Sequence, residues 1–424
     1  MPNLIERLTR VRKEEVGALT WALIYGFCIF LAYYILRPVR DEISSADRGN
    51  LQILWTVVFL VMLLAVPAYS WVVARWPRGK FVPWVNRFFI LNLVGFYVAL
   101  VSLPVGARPW IDRVFYVWAS VFALFVVTVF WGFMADLFKS EQGKRLFGPI
   151  AVGGSLGAII GSAVTASLIS ALPPFTLLLV ACVPLEVAAR AARQLHRRSD
   201  QAGSTLQREE APVSGTVWSG IKVVFSSPYL KRIAIFIFLM TFASTVLYFQ
   251  QAHLIYDAIE DRAVRTALFA KMDLATNVIT LTGQGFIVAH VIRRIGMGWS
   301  LALVPILAAV GFVALGLMPT LAVLVVVQVL YRSLRYAVAK PTREVLFTVV
   351  DREEKYKSKA FIDAAVYRGG DLINGWIYAG LAALGLTVGA IALVAAPVAL
   401  LWALTGFDLG RRQEKIASEQ RSQG

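Results

Sequence analysis

The chain consists of successive runs of about 20 apolar residues separated by short polar loops. A helix that rises about 1.5 Å per residue needs a run of this length to cross roughly 30 Å of hydrocarbon. Every backbone amide and carbonyl in such a run must be paired internally, which leaves helices or a closed barrel. The runs lack the period-two alternation of barrel strands and are rich in Ala, Leu and Gly. They therefore predict an all-α membrane protein.

Twelve transmembrane helices in two six-helix halves are predicted from the spacing of the runs. The predicted spans are residues 17–39, 51–74, 82–103, 114–138, 148–170, 175–192, 233–255, 266–292, 300–318, 321–339, 360–381 and 388–404. A polar segment interrupts the series after the sixth run. We predict halves at 1–192 and 230–405, a cytoplasmic linker at 193–229 and a cytoplasmic tail at 406–424. Within the linker, residues 217–225 are amphipathic enough to lie at the membrane surface.

The formal net charge of +16 is distributed as a topology signal. Basic residues are concentrated in alternate loops, whereas three of the intervening loops contain none. The positive-inside rule then places both termini in the cytoplasm. We expect a multi-pass protein of a bacterial inner membrane, in contact with the lipid bilayer, monomeric and without a nucleic-acid partner.

No catalytic or metal-binding constellation is recognisable in the sequence. Cys28 and Cys182 both lie inside apolar runs, which suits buried packing, and the three histidines match no ligand spacing. We expect no cofactor, no metal and no enzymatic activity.

Glycines line one face of the fifth predicted span, at Gly153, Gly157 and Gly161. This small-xxx-small spacing lets two helix backbones approach closely. We predict close helix packing on this face, which in a transporter with rocking halves would also be a sliding surface.

Ionisable groups inside predicted spans are the best candidates for function, because burying them costs several kcal/mol unless they are paired or hydrated. Near the end of the first span, Arg37 and Arg40 are three residues apart and share a helix face if the helix continues past Pro38. They could extend to the interface, one paired with Asp41 or Glu42, or they could bind an anion beside tyrosines.

Further charged candidates lie in the eighth, tenth and eleventh spans. The predicted substrate-binding residues are Tyr34, Arg37, Arg40, Tyr248, Arg332, Arg335, Lys359 and Arg368. The predicted ion-pair or proton-coupling residues are Asp41, Asp273, Asp363 and Asp371. A purely structural network of buried ion pairs is the alternative. The basic excess favours an anionic substrate.

The six-plus-six arrangement resembles the major facilitator superfamily, whose halves rock about a central site. Five segments also resemble the nucleotide transporters (ATP/ADP translocases) of plastids and intracellular bacteria. These segments are residues 34–41 (YILRPVRD), 130–133 (FWGF), 144–147 (KRLF), 341–344 (PTRE) and 357–363 (KSKAFID).

That resemblance implies nucleotide exchange across a membrane, with helix lysines and glutamates as functional groups. It assigns Arg40 to the family's basic position in the first helix, and Lys357 or Lys359 to a basic position of a late motif. The family's acidic positions fall at Ser120 and near Phe249. This chain therefore lacks two acidic side chains that the family links to nucleotide handling.

The leading hypothesis is a secondary active transporter that moves an anionic small molecule, such as a nucleotide or another phosphorylated compound, by alternating access. Exchange and proton symport both remain open as coupling modes. One alternative is a transporter of a peptide-like, siderophore or drug substrate. Another is a non-transporting membrane protein that handles lipid or senses a signal.

Overall fold

A computed structural model describes residues 11–12, 15–76, 78–138, 140–173, 175–201, 217–286 and 288–423, which form helices and no strands. The first helices are α1 (Val16–Ala46), α2 (Leu51–Arg75), α3 (Arg78–Ser102), α4 (Arg108–Leu137), α5 (Ser140–Leu168), α6 (Thr176–Gln201), α7 (Val217–Ser226) and α8 (Pro228–Ala258). They are followed by α9 (Arg262–Phe286), α10 (Val288–Leu317), α11 (Leu321–Leu334), α12 (Lys340–Val345), α13 (Arg352–Phe361), α14 (Tyr367–Ala383) and α15 (Val388–Gln423). The predicted linker is described only in part, since residues 202–216 lie outside the described segments.

Nine helical segments of the described chain are long and apolar enough to cross a membrane. The predicted spans at 175–192, 266–292 and 360–381 correspond to α6, α9 and α13–α14, which are not among the nine. Charged side chains lower the hydropathy of α6 and α9, and α14 has only 17 residues. Residues 217–225, which we predict to lie at the membrane surface, fall within the helix α7.

Chain contacts divide the molecule into two compact units. Unit 1 comprises Met1–Ser44, Val57–Arg208 and Ile259–Asn277, and unit 2 comprises Ser45–Thr56, Glu209–Ala258 and Val278–Gly424. In unit 1, α3 packs on α4 and α6. In unit 2, α10 packs along α15, α8 contacts α14 and α15, and α7 lies on α13.

The start of α1 is tied to α5 within unit 1. Glu15 accepts hydrogen bonds from the Arg12 amide (3.0 Å) and from both terminal nitrogens of Arg145 (2.7 and 3.0 Å). Burial raises the pKa of the Glu15 carboxyl, but these hydrogen bonds outweigh it, so the pKa is lowered on balance. Glu15 is therefore held as a carboxylate next to Arg145.

The predicted glycine face of α5 packs directly on the backbone of α1. A Cβ atom at Gly157 would overlap the carbonyl oxygen of Phe27, and one at Gly161 would meet the carbonyl of Leu31. The two helices are therefore closer than any larger residue permits, and the prediction of close packing is confirmed.

Replacing Gly157 with leucine is expected to destabilise the protein by about 1–3 kcal/mol or more, because the obstacle is backbone rather than a flexible side chain. Gly148→Leu is the matched control, since Gly148 is also in α5 and has open space around its Cβ position. Thermal unfolding in detergent should show a much lower Tm for Gly157→Leu. Equal Tm values for the two variants would contradict the packing.

Two π-helical turns interrupt the late helices of unit 2. One, Arg335–Ala339, joins α11 to α12, and the other, Ile362–Val366, joins α13 to α14. Such turns insert an extra residue into the helix and re-aim the side chains around it, and they are frequent at functional sites. Arg335 opens the first turn, and Tyr367 and Arg368 directly follow the second.

Candidate functional site

Charged side chains of α1 and α9 form one cluster in unit 1, the Arg37 cluster, which consists of Tyr34, Arg37, Arg40, Asp41 and Asp273. The helix α1 continues through Pro38, so Arg37 and Arg40 do share a face. Arg37 Nε lies 3.6 Å from a carboxylate oxygen of Asp41 and 3.6 Å from one of Asp273. Arg40 donates to Asp41 at 2.6 and 3.1 Å.

The aromatic partners of the Arg37 cluster are tyrosines. The guanidinium of Arg37 lies 5.5 Å from the ring centre of Tyr34, and that of Arg40 lies 5.9 Å from the ring of Tyr116 on α4. Both aspartates are buried. Because two arginines face two carboxylates, the cluster is electrically balanced.

A second group, the Arg335 cluster, lies in unit 2 and consists of Arg335, Tyr367, Arg368 and Asp371. The predicted residue Arg332 is buried one helical turn before Arg335 on α11. Arg335 donates to the hydroxyl of Tyr367 and to Ser244 Oγ at 3.2 Å. Both acceptors are neutral. Asp371 acts electrostatically on Arg335 and Arg368 but is not in ion-pair contact with either. Arg335 and Arg368 face one carboxylate, Asp371, which leaves this cluster with a positive excess.

The surroundings of the Arg335 cluster are polar for a helix interior. Ser244 also hydrogen-bonds to the hydroxyl of Tyr331 at 3.0 Å. Gln328 donates to Gln251 at 2.7 Å, and Asn374 donates to Thr241 at 2.9 Å. These pairs connect α8 with α11 and α14. Buried amides and hydroxyls of this kind can orient a polar solute or its bound water.

The predicted residues Lys359 and Asp363 lie apart from both clusters. Lys359 pairs with Glu344, and its ammonium is 5.9 Å from the ring of Phe347. Asp363 is 3.7 Å from Arg343. This network connects α12 with α13 and the π-helical turn that follows α13.

Tyr248 lies in an aromatic group rather than beside an arginine. Its ring centre is 5.3 Å from that of Trp55, which is also 5.3 Å from Phe249. Phe249 is buried, and its ring centre is 4.9 Å from that of Tyr378. The position that the family resemblance assigns to an acid is thus occupied by a packing residue. Ser120, at the other such position, donates to the carbonyl of Tyr116 at 2.8 Å.

A buried charge network was not predicted from the sequence. Glu42 is fully buried and accepts from Arg265 at 2.7 Å, while its other oxygen is 2.7 Å from Arg262. Arg262 also binds both oxygens of Asp112 at 3.0 and 3.1 Å. Arg265 donates further to the carbonyls of Ile259 and Glu260. The network joins α1, α4 and α9, and Glu42 is engaged here rather than with Arg37 or Arg40.

Comparison with known proteins finds similar sequences and similar solved structures. No protein-family model matches the chain. It is 23% identical to ADP,ATP carrier protein 1 of Chlamydia trachomatis in an alignment 474 positions long, which covers 95% of this chain and 89% of that protein. A carrier of the same name from Chlamydia muridarum is also 23% identical, with coverages of 86% and 82%.

Solved structures show the fold. The nucleoside transporter NupG superposes with a TM-score of 0.60 and 14% identity, covering 94% of this chain and 99% of that one. A bacterial homologue of ferroportin in an inward-facing state superposes with a TM-score of 0.65 and 13% identity, covering 92% of this chain and 99% of that one. The chain therefore has a major-facilitator-like fold, with apolar helices of a multi-pass membrane protein. Its sequence is distantly similar to ADP/ATP carriers.

Proposed function

We propose that the chain is a secondary active transporter of an anionic, phosphorylated small molecule, which it moves by alternating access. The observation that carries this proposal is Arg335, a half-buried guanidinium whose hydrogen-bond partners, Ser244 and Tyr367, are both neutral. A cation in a low-dielectric interior without an ion-paired carboxylate strongly attracts an anion. The planar guanidinium also matches the paired oxygens of a phosphate.

The two clusters would have different roles in this mechanism. The arginines of the Arg37 cluster are neutralised by Asp41 and Asp273, whereas the positive excess lies in the Arg335 cluster. We propose that the Arg335 cluster of unit 2 binds the solute anion. Within unit 1, Arg37 and Arg40 could bind an anion only by exchanging a carboxylate partner for an anion oxygen, and for this reason we propose Asp41 and Asp273 as the coupling groups.

A nucleotide is the candidate substrate that the similarity to ADP,ATP carrier proteins supports. Rings such as Tyr34 and Tyr248 could stack on a base. The aromatic packing at Phe249 and the hydroxyl at Ser120 leave those two positions without the acids expected for ATP/ADP exchange, so sugar phosphates belong to the same proposal.

The proposed membrane arrangement has twelve crossings. Besides the nine segments that meet the length and hydropathy requirements, α6, α9 and the α13–α14 pair would cross the bilayer. The halves would be residues 1–192 and 230–405, joined by the linker at 193–229, with the tail at 406–424 and both termini in the cytoplasm of a bacterial inner membrane.

A ligand screen tests the substrate class. We expect nucleotides or sugar phosphates to raise the Tm of the purified protein, because a ligand at 100 times its Kd stabilises the folded state by about 2.7 kcal/mol. Their unphosphorylated counterparts should give no shift. A shift with peptides or siderophores alone would contradict the proposal and favour the alternative transporter reading.

Replacing Arg40 with glutamine is expected to reduce uptake at least about tenfold while the protein level is unchanged, because one charge-assisted contact to the anion is lost. Arg48→Gln is the control, since Arg48 pairs with Asp257 in an exposed position. Uptake by reconstituted vesicles measures both. Unchanged transport in Arg40→Gln would remove Arg40 from the site.

A further inference from the structure

A charged pair lies on the outer surface of unit 1, between α3 and α6. Arg87 of α3 donates to Glu186 of α6 at 3.0 and 3.2 Å, and Arg190 donates to the same carboxylate at 2.9 Å. All three side chains are at least partly exposed. Ion pairs inside membrane spans usually face the bundle interior, so a pair on an open helix face calls for a specific explanation.

The surface around this pair is strongly apolar on one side. Trp84, Phe88 and Leu91 of α3 recur at helical spacing and are 69%, 59% and 70% exposed, and Val183 of α6 is 66% exposed. In a membrane protein such side chains face lipid tails. The apolar side therefore provides a surface for acyl chains.

The other side of the pair is basic. Arg190, Arg193 and Arg197 follow Glu186 on one face of α6, about 6, 10 and 16 Å further along the helix axis. All three are exposed. Because α3 contains no acidic residue, Glu186 is the one carboxylate near the pair in these two helices. The face therefore has a positive excess towards the end where α3 begins and α6 ends.

The register of the two helices aligns these parts. In the proposed arrangement α3 is the third crossing and α6 the sixth, so the two helices run in opposite directions. Because Arg87 is paired with Glu186, residues before Arg87 then lie level with those after Glu186. Trp84 is thus near the level of Arg190, while Leu91 is near that of Val183. Acyl-facing residues, an aromatic ring and basic residues follow one another along a single groove, in the order of the tails, interface and headgroup of a lipid.

We infer that this groove binds an anionic phospholipid. The phosphate would lie on Arg190 and Arg193, and the tails would lie along Trp84, Phe88, Leu91 and Val183. Charge complementarity selects the occupant, since a zwitterionic lipid would leave the excess charge of the face uncompensated. The alternative is that each arginine extends to the membrane interface on its own. That alternative would explain neither the deeper Arg87–Glu186 pair nor the matching apolar face on α3.

The test compares lipids on the purified full-length protein in a neutral detergent. Phosphatidylglycerol should raise Tm by several degrees more than phosphatidylcholine does. This additional shift should fall to less than half in Arg190→Gln/Arg193→Gln. It should be unchanged in Arg411→Gln/Lys415→Gln, which removes two exposed basic residues from α15. Native mass spectrometry should retain one phosphatidylglycerol molecule on the wild-type protein and on the control, but none on the α6 variant.

Three results would overturn the inference. Equal additional shifts in all three proteins would mean that the lipid acts without a defined site. Equal shifts with both lipids would remove the requirement for an anion. A shift of the same size with soluble glycerol phosphate would show that the tails contribute nothing and that the ligand is not a lipid.

Discussion

Replacing Arg335 with glutamine is expected to reduce uptake of the transported anion about 100-fold. The guanidinium uses one N–H for Ser244 and one for Tyr367, and the remaining donors can bind the anion. Charge-assisted hydrogen bonds contribute about 1.5–3 kcal/mol each, and every 1.4 kcal/mol is a factor of ten. Loss of two such contacts therefore gives the predicted effect.

The conservative and matched variants make this result interpretable. Arg335→Lys should retain part of the activity, because the charge stays but the planar pair of donors is lost. Tyr367→Phe should have an intermediate effect, since it removes the hydroxyl that orients Arg335. Lys340→Gln removes an exposed charge five residues further along and should transport normally. Uptake by Arg335→Gln within about threefold of wild type, at equal protein level, would exclude Arg335 from the site.

Replacing Glu42 with glutamine is expected to destabilise the protein by about 3–5 kcal/mol, because a buried ion pair that loses one partner leaves an uncompensated charge. Glu42 is fully buried between Arg262 and Arg265, and it pairs with both, while Arg262 also pairs with Asp112. Thermal unfolding in detergent should show a large fall in Tm.

A double variant separates charge imbalance from loss of packing. Glu42→Gln/Arg265→Gln removes one charge of each sign and should recover much of the Tm lost in the single variant. Asp257→Asn, which breaks the exposed pair with Arg48, should cost at most about 1 kcal/mol. A Tm for Glu42→Gln equal to that of Asp257→Asn would show that the network does not stabilise the fold.

Features that depend on local periodicity could be predicted from the sequence. The apolar runs located the helices, the amphipathic pattern at 217–225 located α7, and the glycine spacing located the contact of α5 with α1. The spacing of Arg37 and Arg40 placed them on one face of α1. In each case the pattern lies within about one helix, and hydrogen bonding or packing of that helix explains it.

Features that depend on distant pairing could not be predicted. Glu42 and Arg265 are 223 positions apart, and nothing in either local sequence indicates their contact. The π-helical turns at Arg335–Ala339 and Ile362–Val366 have no composition signal, since tertiary contacts decide where an extra residue enters a helix. Tyr367 and Ser244 were missed as partners of Arg335 for the same reason, because they lie on other helices.

Flux through reconstituted vesicles tests the central claim most directly. Purified wild-type protein in liposomes should take up labelled ATP or glucose 6-phosphate in a saturable manner. Adenosine and glucose should not enter above the rate of protein-free vesicles, because they lack the anionic group that Arg335 binds. Equal uptake of the phosphorylated and unphosphorylated compounds, or no uptake of any phosphorylated compound, would contradict the account.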